Sequence, residues 1–260
     1  MTATIAIRGV GKRYVGRGRE TVALEPIDLE IEEGELVAFV GPSGCGKSTL
    51  MNMIAGIIDP TGGTILHEGR TVHGINRQVG YLTQVDSVLP WRTVEANVGL
   101  PLEYRGVPSA ERGPRIEAML KLVNLSGFGK AFPRELSGGM RKRVALAQML
   151  IYEPKTLLMD EPFGALDAQL KLVMQAQLLK IWQEQRKTIV FVTHDLAEAI
   201  AVASRVIVFS GRPGRVKHVE RIDIPYPRDV FKIRFLPEFE AAYERLWAEL
   251  APEIARGEDL

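Results

Sequence analysis

The sequence predicts an α/β fold, in which helices cover both faces of a parallel sheet. The first observation is a set of continuous apolar, β-branched runs, such as residues 188–192 and 205–209, which helical stretches separate. The second is a pair of β-type segments at 5–10 and 22–31, which predict an antiparallel β part at the N-terminus. The third is a change to mostly helical texture from about residue 87 to 153, which predicts an inserted helical subdomain.

The remaining elements follow in chain order from local patterns. Apolar runs and β-branched residues indicate further strands at 35–40, 64–66, 79–82 and 156–159, and glycines indicate a turn at 16–19. Segments of helix-forming composition indicate helices at 50–55, 93–104, 109–125, 137–152, 196–203 and 237–255. We therefore expect an α/β core from 1–86 and 154–224, a helical subdomain from 87–153 and a C-terminal helical tail from 225–260.

Composition sets limits on the class of protein. The 260 residues are 46% hydrophobic and 25% charged with a net charge of +1, which gives no argument for nucleic-acid binding. Cys45 is the single cysteine, so an internal disulfide is excluded. No run of eighteen apolar residues is present, and the N-terminal segment has no signal-peptide pattern. We expect a cytoplasmic chain that a partner can hold at a membrane.

The most informative motif is a glycine-rich turn between the strand at 35–40 and the following helix. It has the spacing Gly, four residues, Gly-Lys-Ser, in which backbone N–H groups at a helix N-terminus surround phosphate oxygens. Lys47 would reach the β- and γ-phosphates and Ser48 would ligate Mg²⁺. The alternative is a flexible turn that precedes a lysine by chance. The predicted phosphate-binding residues are Gly41, Pro42, Ser43, Gly44, Cys45, Gly46, Lys47, Ser48 and Thr49.

Two carboxylates follow the strand at 156–159, at the edge of the sheet where ligands bind in such folds. Asp160 would hold Mg²⁺ through water, and Glu161 would polarise the attacking water. A solvated turn is the alternative for this pair. His194 follows the strand at 188–192 and is predicted to sense the γ-phosphate, with a structural cap as the alternative. Gln84 follows the strand at 79–82, and its amide can ligate Mg²⁺ and orient water.

A second glycine-containing turn, residues 136–140, opens the helix predicted at 137–152. Its exposed N–H groups and helix dipole resemble the first turn, but it has neither a lysine nor a preceding strand. One complete site and one incomplete site suggest that two copies combine head to tail. The ordinary alternative is a helix cap by Ser137. The residues predicted to contact the other copy's nucleotide are Ser137, Gly138 and Gly139.

In combination these blocks resemble the nucleotide-binding subunit of ABC transporters over nearly the whole chain. The resemblance implies a P-loop NTPase core of the RecA type that binds ATP and Mg²⁺. It further implies an ATPase that works as a homodimer on the cytoplasmic face of the membrane, bound to permease subunits. Tyr14 would stack on adenine, with an ordinary surface aromatic as the alternative. The matching segments, in family order, are Walker A at 41–49, the Q-loop at Gln84, the signature at 136–140, Walker B at 157–161, the D-loop at 165–167 and the switch His194.

A narrower resemblance is to the nitrate, sulfonate and taurine importer group. It implies uptake of a small solute that a separate solute-binding protein delivers. Leu89-Pro90-Trp91, which belongs to this match, could line a groove for a permease helix, or it could be buried in the helical lobe. The sequence departs from the usual pattern at Gln148, Thr83 and Met159. The other matching segments are 161–167, 211–215, 224–229 and 237–239.

Three other classes of function fit the sequence less well. A soluble ABC-type ATPase of DNA repair or translation usually carries two cassettes or a long coiled coil, and neither is visible. A small-molecule P-loop kinase does not account for the turn at 136–140 or for His194. A binding module without catalysis is opposed by Asp160 and Glu161.

Overall fold

A computed structural model of the chain describes residues 3–16, 19–84, 87–164 and 166–258. Its main sheet has six strands in the order β10-β9-β3-β8-β7-β6. The pairs from β9 through β6 are parallel, and β10 is antiparallel to β9 at the edge. The strands are β3 (Leu36–Val40), β6 (Val79–Leu82), β7 (Thr156–Asp160), β8 (Thr188–Val192), β9 (Arg205–Phe209) and β10 (Val216–Arg221).

A second sheet of four strands, β2-β1-β4-β5, is antiparallel throughout. It packs on one face of the main sheet, where Ile5 and Ile7 share a hydrophobic cluster with Val37 and Phe39. The other residues of the same strand, such as Ala38, belong to a cluster on the opposite face. Both faces of the main sheet are therefore covered. The strands of the second sheet are β1 (Ala3–Gly16), β2 (Arg19–Glu32), β4 (Gly62–His67) and β5 (Arg70–Thr71).

Seven α-helices lie in the part of the chain that the structure describes. Residues of α2, α3 and α4 form a hydrophobic cluster of their own, centred on Val94, Val98 and Val144. None of the described helices is long and apolar enough to cross a membrane. The helices are α1 (Lys47–Ile54), α2 (Val94–Tyr104), α3 (Ser109–Leu122), α4 (Gly138–Leu150), α5 (Ala168–Gln185), α6 (Leu196–Val202) and α7 (Pro237–Glu258).

The C-terminal tail is anchored by one buried arginine. Arg228 donates hydrogen bonds to the backbone carbonyls of Ile200 and Ala203, where α6 ends, at 2.9 and 2.8 Å. Its guanidinium also lies 4.1 Å from the ring of Tyr226, whose hydroxyl donates to Val202 O. These bonds satisfy carbonyls that the end of a helix leaves unpaired. The tail therefore joins the core before α7 begins.

The α/β fold with an antiparallel N-terminal part is confirmed, and several predicted boundaries are wrong. α1 begins at Lys47 rather than 50. α3 ends at Leu122 rather than 125, because Asn124 has a left-handed φ of 54°. β10 was not predicted, since only two of its six residues, Val216 and Val219, are apolar and they lie three positions apart. The predicted turn at 16–19 lies partly outside the described residues.

Candidate active site

The phosphate loop (residues 41–49) connects β3 to the N-terminus of α1. Gly46, which precedes α1, has a φ of 100°. A Cβ at this position would lie 2.6 Å from Leu24 Cδ2 and 3.0 Å from Ala23 O. Both the backbone angle and the lack of space therefore require glycine. The residue before α1 thus lies directly against β2.

The backbone N–H groups of the phosphate loop are available to a ligand. Among the described residues, the N–H groups of Gly44, Gly46, Lys47 and Ser48 donate no hydrogen bond to another residue. The N-cap residue of α1 makes no side-chain capping bond either. Unpaired N–H groups at the start of a helix, together with the helix dipole, form an anion site. The loop thus has the donors that a phosphate tail requires.

Lys47 lies on the loop itself. Its ammonium donates to Gly41 O and Pro42 O at 2.8 Å each and lies 3.4 Å from Cys45 Sγ. The residue is only 8% exposed. A cation held over these carbonyls is close to the free N–H groups, so an anion that enters the loop meets both.

Asp160 ends β7 and is 3% exposed. Burial raises the pKa of its carboxyl, while a hydrogen bond from Ser48 and the charges of Lys142 and Lys47 oppose that rise. Its Oδ1 is buried and has no hydrogen-bond partner among the described residues. A carboxylate with an unpaired oxygen beside a serine hydroxyl is a donor set that suits a hard cation such as Mg²⁺.

Glu161 and His194 lie next to each other, beside Asp160. The Glu161 Oε1 to His194 Nδ1 distance is 3.8 Å, and the side chains are 31% and 65% exposed. Glu161 has a φ of 51°, which is unusual for a residue with a side chain. Its N–H donates to Val192 O at 3.0 Å, so the ends of β7 and β8 are tied together at this point. The two predicted residues are thus brought to one edge of the sheet.

The backbone around His194 is fixed by a buried carboxylate. Glu198 is 3% exposed and accepts from Thr193 Oγ1 at 2.7 Å and from Lys171 Nζ at 2.9 Å. Thr193 Oγ1 in turn accepts from Asp195 N at 3.1 Å, and Asp195 caps α6. Glu198 and Lys171 were not predicted from the sequence, because a charged residue at a helical position gives no signal of burial.

Gln84 lies at the end of the segment after β6 and is exposed. Its backbone carbonyl and that of Thr83 accept hydrogen bonds from Lys142 Nζ, at 3.1 and 2.9 Å. Lys142 belongs to α4 and is 4% exposed, so a charged side chain joins the helical segment to the Gln84 backbone. This residue was also missed. The sequence places it next to the signature motif but gives no hint of its partners.

The signature turn (residues 136–140) begins at the buried Leu136. Ser137 is exposed and caps α4, with its Oγ accepting from Met140 N at 3.2 Å. No hydrogen bond or ion pair between described residues joins this turn to the phosphate loop. The prediction that Ser137 caps the helix is therefore confirmed within the single chain. Gly138 and Gly139, which follow, are half-buried.

Tyr14 lies near the end of β1, where it pairs with Thr21 of β2. Its side chain is 45% exposed, and Lys12 Nζ lies 5.3 Å from the ring centre. Residue Ala23, two positions further along β2, touches the phosphate loop at Gly46. A half-exposed ring is thus found a short distance along the strand from the loop. Stacking on adenine stays a prediction.

Two other predicted segments have different outcomes. Trp91 is 71% exposed, so burial in the helical lobe is wrong. The fully buried Asn97 fixes the segment beside it, donating to Leu89 O and Arg92 O and accepting from Leu89 N. In the predicted D-loop, Ala165 lies outside the described residues, whereas Asp167 caps α5 through Leu170 N.

Comparison with known proteins identifies the family. Residues 24–164 match the family model described as ABC transporter. An uncharacterised ABC transporter ATP-binding protein of Methanocaldococcus jannaschii is 44% identical over 91% of this chain and 88% of its own length. The aliphatic sulfonates import ATP-binding protein of Bacillus subtilis is 39% identical, with 96% and 94% covered. The nitrate import ATP-binding protein of Synechocystis is 43% identical, with 90% of each chain covered.

Solved structures agree with these relatives. A dimeric ATP-binding cassette in a post-hydrolysis state, bound to ADP and Pi, has a TM-score of 0.79 and 31% identity. The match covers 85% of this chain and all of that cassette. A second structure of the same cassette, also dimeric, matches with a TM-score of 0.79 and 32% identity. The chain belongs to the ABC transporter family, as an ATP-binding subunit that hydrolyses ATP.

Proposed function

We propose that the chain powers import of a small solute, of the nitrate, sulfonate or taurine type, through membrane-spanning permease subunits. The observation that carries this proposal is the set of Asp160, Glu161 and His194 at one sheet edge, in a chain whose 39–43% identical relatives are named for sulfonate and nitrate import. The other relatives leave the solute open, since the M. jannaschii protein has no named substrate.

The phosphate loop is proposed to bind the triphosphate. Its unpaired N–H groups would face the phosphate oxygens, and Lys47 would leave the carbonyls of Gly41 and Pro42 for the β- and γ-phosphates. Ser48, Asp160 and Gln84 would hold Mg²⁺, which neutralises phosphate charge when it is bound. The unpaired Asp160 Oδ1 supports this assignment. Tyr14 would stack on adenine from the neighbouring strand.

Hydrolysis is proposed to rest on Glu161 and His194. The partly exposed Glu161 carboxylate can accept a hydrogen bond from the attacking water and polarise it. His194, within 3.8 Å of that carboxylate, would hold the water and the γ-phosphate in line. The bonds of Glu198 to Thr193 and Lys171 support this role, because they fix the backbone on which His194 stands. Catalysis would then depend on positioning and charge, without a covalent intermediate.

A homodimer is proposed as the working form. Ser137, Gly138 and Gly139 of one copy would contact the nucleotide held by the phosphate loop of the other. The exposure of Ser137 and the dimeric state of the matching cassette, seen in two structures, support this arrangement. Part of the proposal is the division into a core (1–86, 154–224), a helical subdomain (87–153) and a tail (225–260). The dimer would lie peripherally on the cytoplasmic face of the membrane, and a solute-binding protein would supply the permease.

Isolation from native cells tests the importer assignment. A tagged chain carrying Glu161→Gln, extracted in mild detergent with ATP, should retain an integral membrane protein in stoichiometric amount. The matched control is Glu161→Gln with Lys47→Ala, which should bind the same partner without closing around ATP. Recovery with ribosomes or DNA, and without a membrane protein, would contradict the proposal and favour a soluble ABC-type ATPase of DNA repair or translation.

A further inference from the structure

A loop near the end of the core lies directly against the phosphate loop. We call residues 211–215, which connect β9 to β10, the wall loop. The Arg212 guanidinium contacts Gly44 O through Nε at 3.4 Å and Nη2 at 3.3 Å. A Cβ on Gly214 would lie 1.8 Å from Cys45 O, so only glycine fits there. The wall loop thus touches two consecutive carbonyls of the phosphate loop.

The wall loop is also bonded to β2. Gly214 N donates to Ala23 O at 3.0 Å, and Glu25 N donates to Gly214 O at 2.9 Å. Leu24, between these two residues, fills the space against Gly46. β2 and the wall loop therefore form a continuous surface along the outer side of the phosphate loop.

The contact between Gly214 and Cys45 O also sets the direction of the next N–H group in the phosphate loop, because the peptide bond is planar. In a planar trans peptide, the C=O group and the following N–H point in opposite directions. Cys45 O faces Gly214, so the N–H of Gly46 faces away from the wall loop. That N–H is one of those without a partner among the described residues. The wall loop therefore fixes the orientation of a group that a phosphate would meet.

The C-terminal helix holds the wall loop at its other end. Glu253, near the end of α7, is 5% exposed, and its Oε2 accepts from Gly211 N at 2.9 Å. Lys217 Nζ and Arg256 Nη1 lie 3.2 Å from its Oε1. The Gly211 bond, followed by these cations, lowers the pKa of Glu253, so its carboxylate is charged at neutral pH. A buried, charged acceptor makes a strong bond to a backbone N–H.

We propose that Glu253 is a positioning residue of the nucleotide site. Its carboxylate fixes Gly211, the wall loop carries that constraint to Gly44 and Cys45, and the C-terminal helix thereby sets the affinity for nucleotide. This inference rests on the proposed phosphate-binding role of residues 41–49. It gives the tail after residue 225 a function within the ATPase itself.

Calorimetric titration of the full chain with ADP and with Mg·ATP tests this proposal. Glu253→Ala should raise both Kd values about 3- to 10-fold, which corresponds to the loss of one hydrogen bond to a charged group. KM for ATP should rise in proportion, with kcat nearly unchanged. Glu253→Gln, which keeps an acceptor for Gly211, should recover most of the affinity. The matched control is Glu249→Ala on the same helix, since Glu249 pairs with Lys217 but makes no bond to the wall loop.

A second variant keeps the proposal testable where Glu253→Ala does not fold. Arg212→Ala, on the exposed side of the wall loop, should raise the Kd to a similar degree. The double variant should bind no more weakly than the weaker single one, because both act through one chain of contacts. Wild-type affinity in folded Glu253→Ala, or fully additive effects, would overturn the positioning role. Wild-type protein that fails to bind nucleotide would overturn the proposed function instead.

Discussion

The phosphate loop and the signature turn are both glycine-containing turns that open a helix, yet the chain surrounds them very differently. In the phosphate loop, Cys45 is 1% exposed, Lys47 is buried, and Leu24 packs against Gly46. In the signature turn, Ser137 is exposed. The phosphate loop thus packs against another strand of its own chain, whereas Ser137 of the signature turn faces solvent. Under the proposed function, the two turns would form two halves of one site on two molecules.

Helix capping separates the two turns further. α1 begins after Gly46 without a side-chain cap, so its first N–H groups stay available to a ligand. α4 begins after Ser137, whose hydroxyl already takes the N–H of Met140. The first turn has many free donors and a lysine. The second contributes one hydroxyl and few donors, and this suits a supporting contact to a nucleotide held elsewhere.

The largest expected effect concerns the carboxylate beside the phosphate loop. Glu161→Gln should lower ATP hydrolysis about 10²- to 10⁴-fold, because the amide cannot act as a base toward water. ATP binding should be intact, as measured by calorimetry beside phosphate-release kinetics. Asp195→Asn, at a helix cap near the same edge, is the control and should keep most of the activity. Near wild-type turnover in Glu161→Gln would refute the assignment.

The two turns should respond in opposite ways to loss of a polar side chain. Lys47→Ala should weaken ATP binding to the isolated chain about 10- to 100-fold, since it removes charge-assisted bonds to phosphate. Ser137→Ala should leave that binding unchanged and lower only hydrolysis at concentrations where dimers form. Titration of dilute protein and activity as a function of protein concentration separate the two. Equal loss of binding in both variants would contradict the division of roles.

Adding a methyl group should also distinguish the turns. Gly46→Ala forces a side chain into a left-handed backbone and onto Leu24, and should cost about 1–3 kcal/mol of unfolding free energy. Gly138→Ala has its nearest heavy atom at 3.8 Å, on the end of the flexible Arg141. It should leave stability unchanged or raise it by up to about 1 kcal/mol. Urea unfolding of both variants gives the comparison, and a stable Gly46→Ala would contradict the packing described.

The smallest expected effect is on the pH dependence of stability, through Glu253, which holds the wall loop. The pKa of Glu253 is lowered in the folded state, chiefly by the Gly211 bond and then by Lys217 and Arg256, so the unfolded chain binds its proton first as pH falls. Its stabilising contribution is therefore present above the ordinary value of 4.5 and is lost as pH falls below it. Thermal unfolding between pH 7 and pH 3 should show a steeper loss for wild type than for Glu253→Gln. Parallel curves would contradict this.

The sequence predicts the local features of this molecule well. A strand, a glycine turn and a helix start are neighbours in the chain, so the phosphate loop is visible in consecutive residues. Asp160 and His194 are likewise marked by the strands they end. Their meeting at one edge follows from parallel strand order.

Contacts between distant segments could not be predicted in the same way. Lys142, Glu198 and Glu253 read as ordinary charged residues on helix surfaces, yet each is at most 5% exposed. Their partners lie far away in the sequence: Gly211 is 42 residues from Glu253, and Thr83 is 59 residues from Lys142. Only the fold brings these groups together. The edge strand β10 was also not predicted. Among the described strands it pairs only with β9, and its residues carry no continuous apolar run.

The most direct test of a shared nucleotide site is a crosslink between two differently tagged chains. One chain carries Ser43→Cys in the phosphate loop and the other carries Ser137→Cys in the signature turn. Both also carry Cys45→Ser and Glu161→Gln. ATP should drive a disulfide between the two tags, with little bond formation in ADP or without nucleotide. Chains that bind ATP but form no ATP-dependent crosslink between residues 43 and 137 would contradict the account.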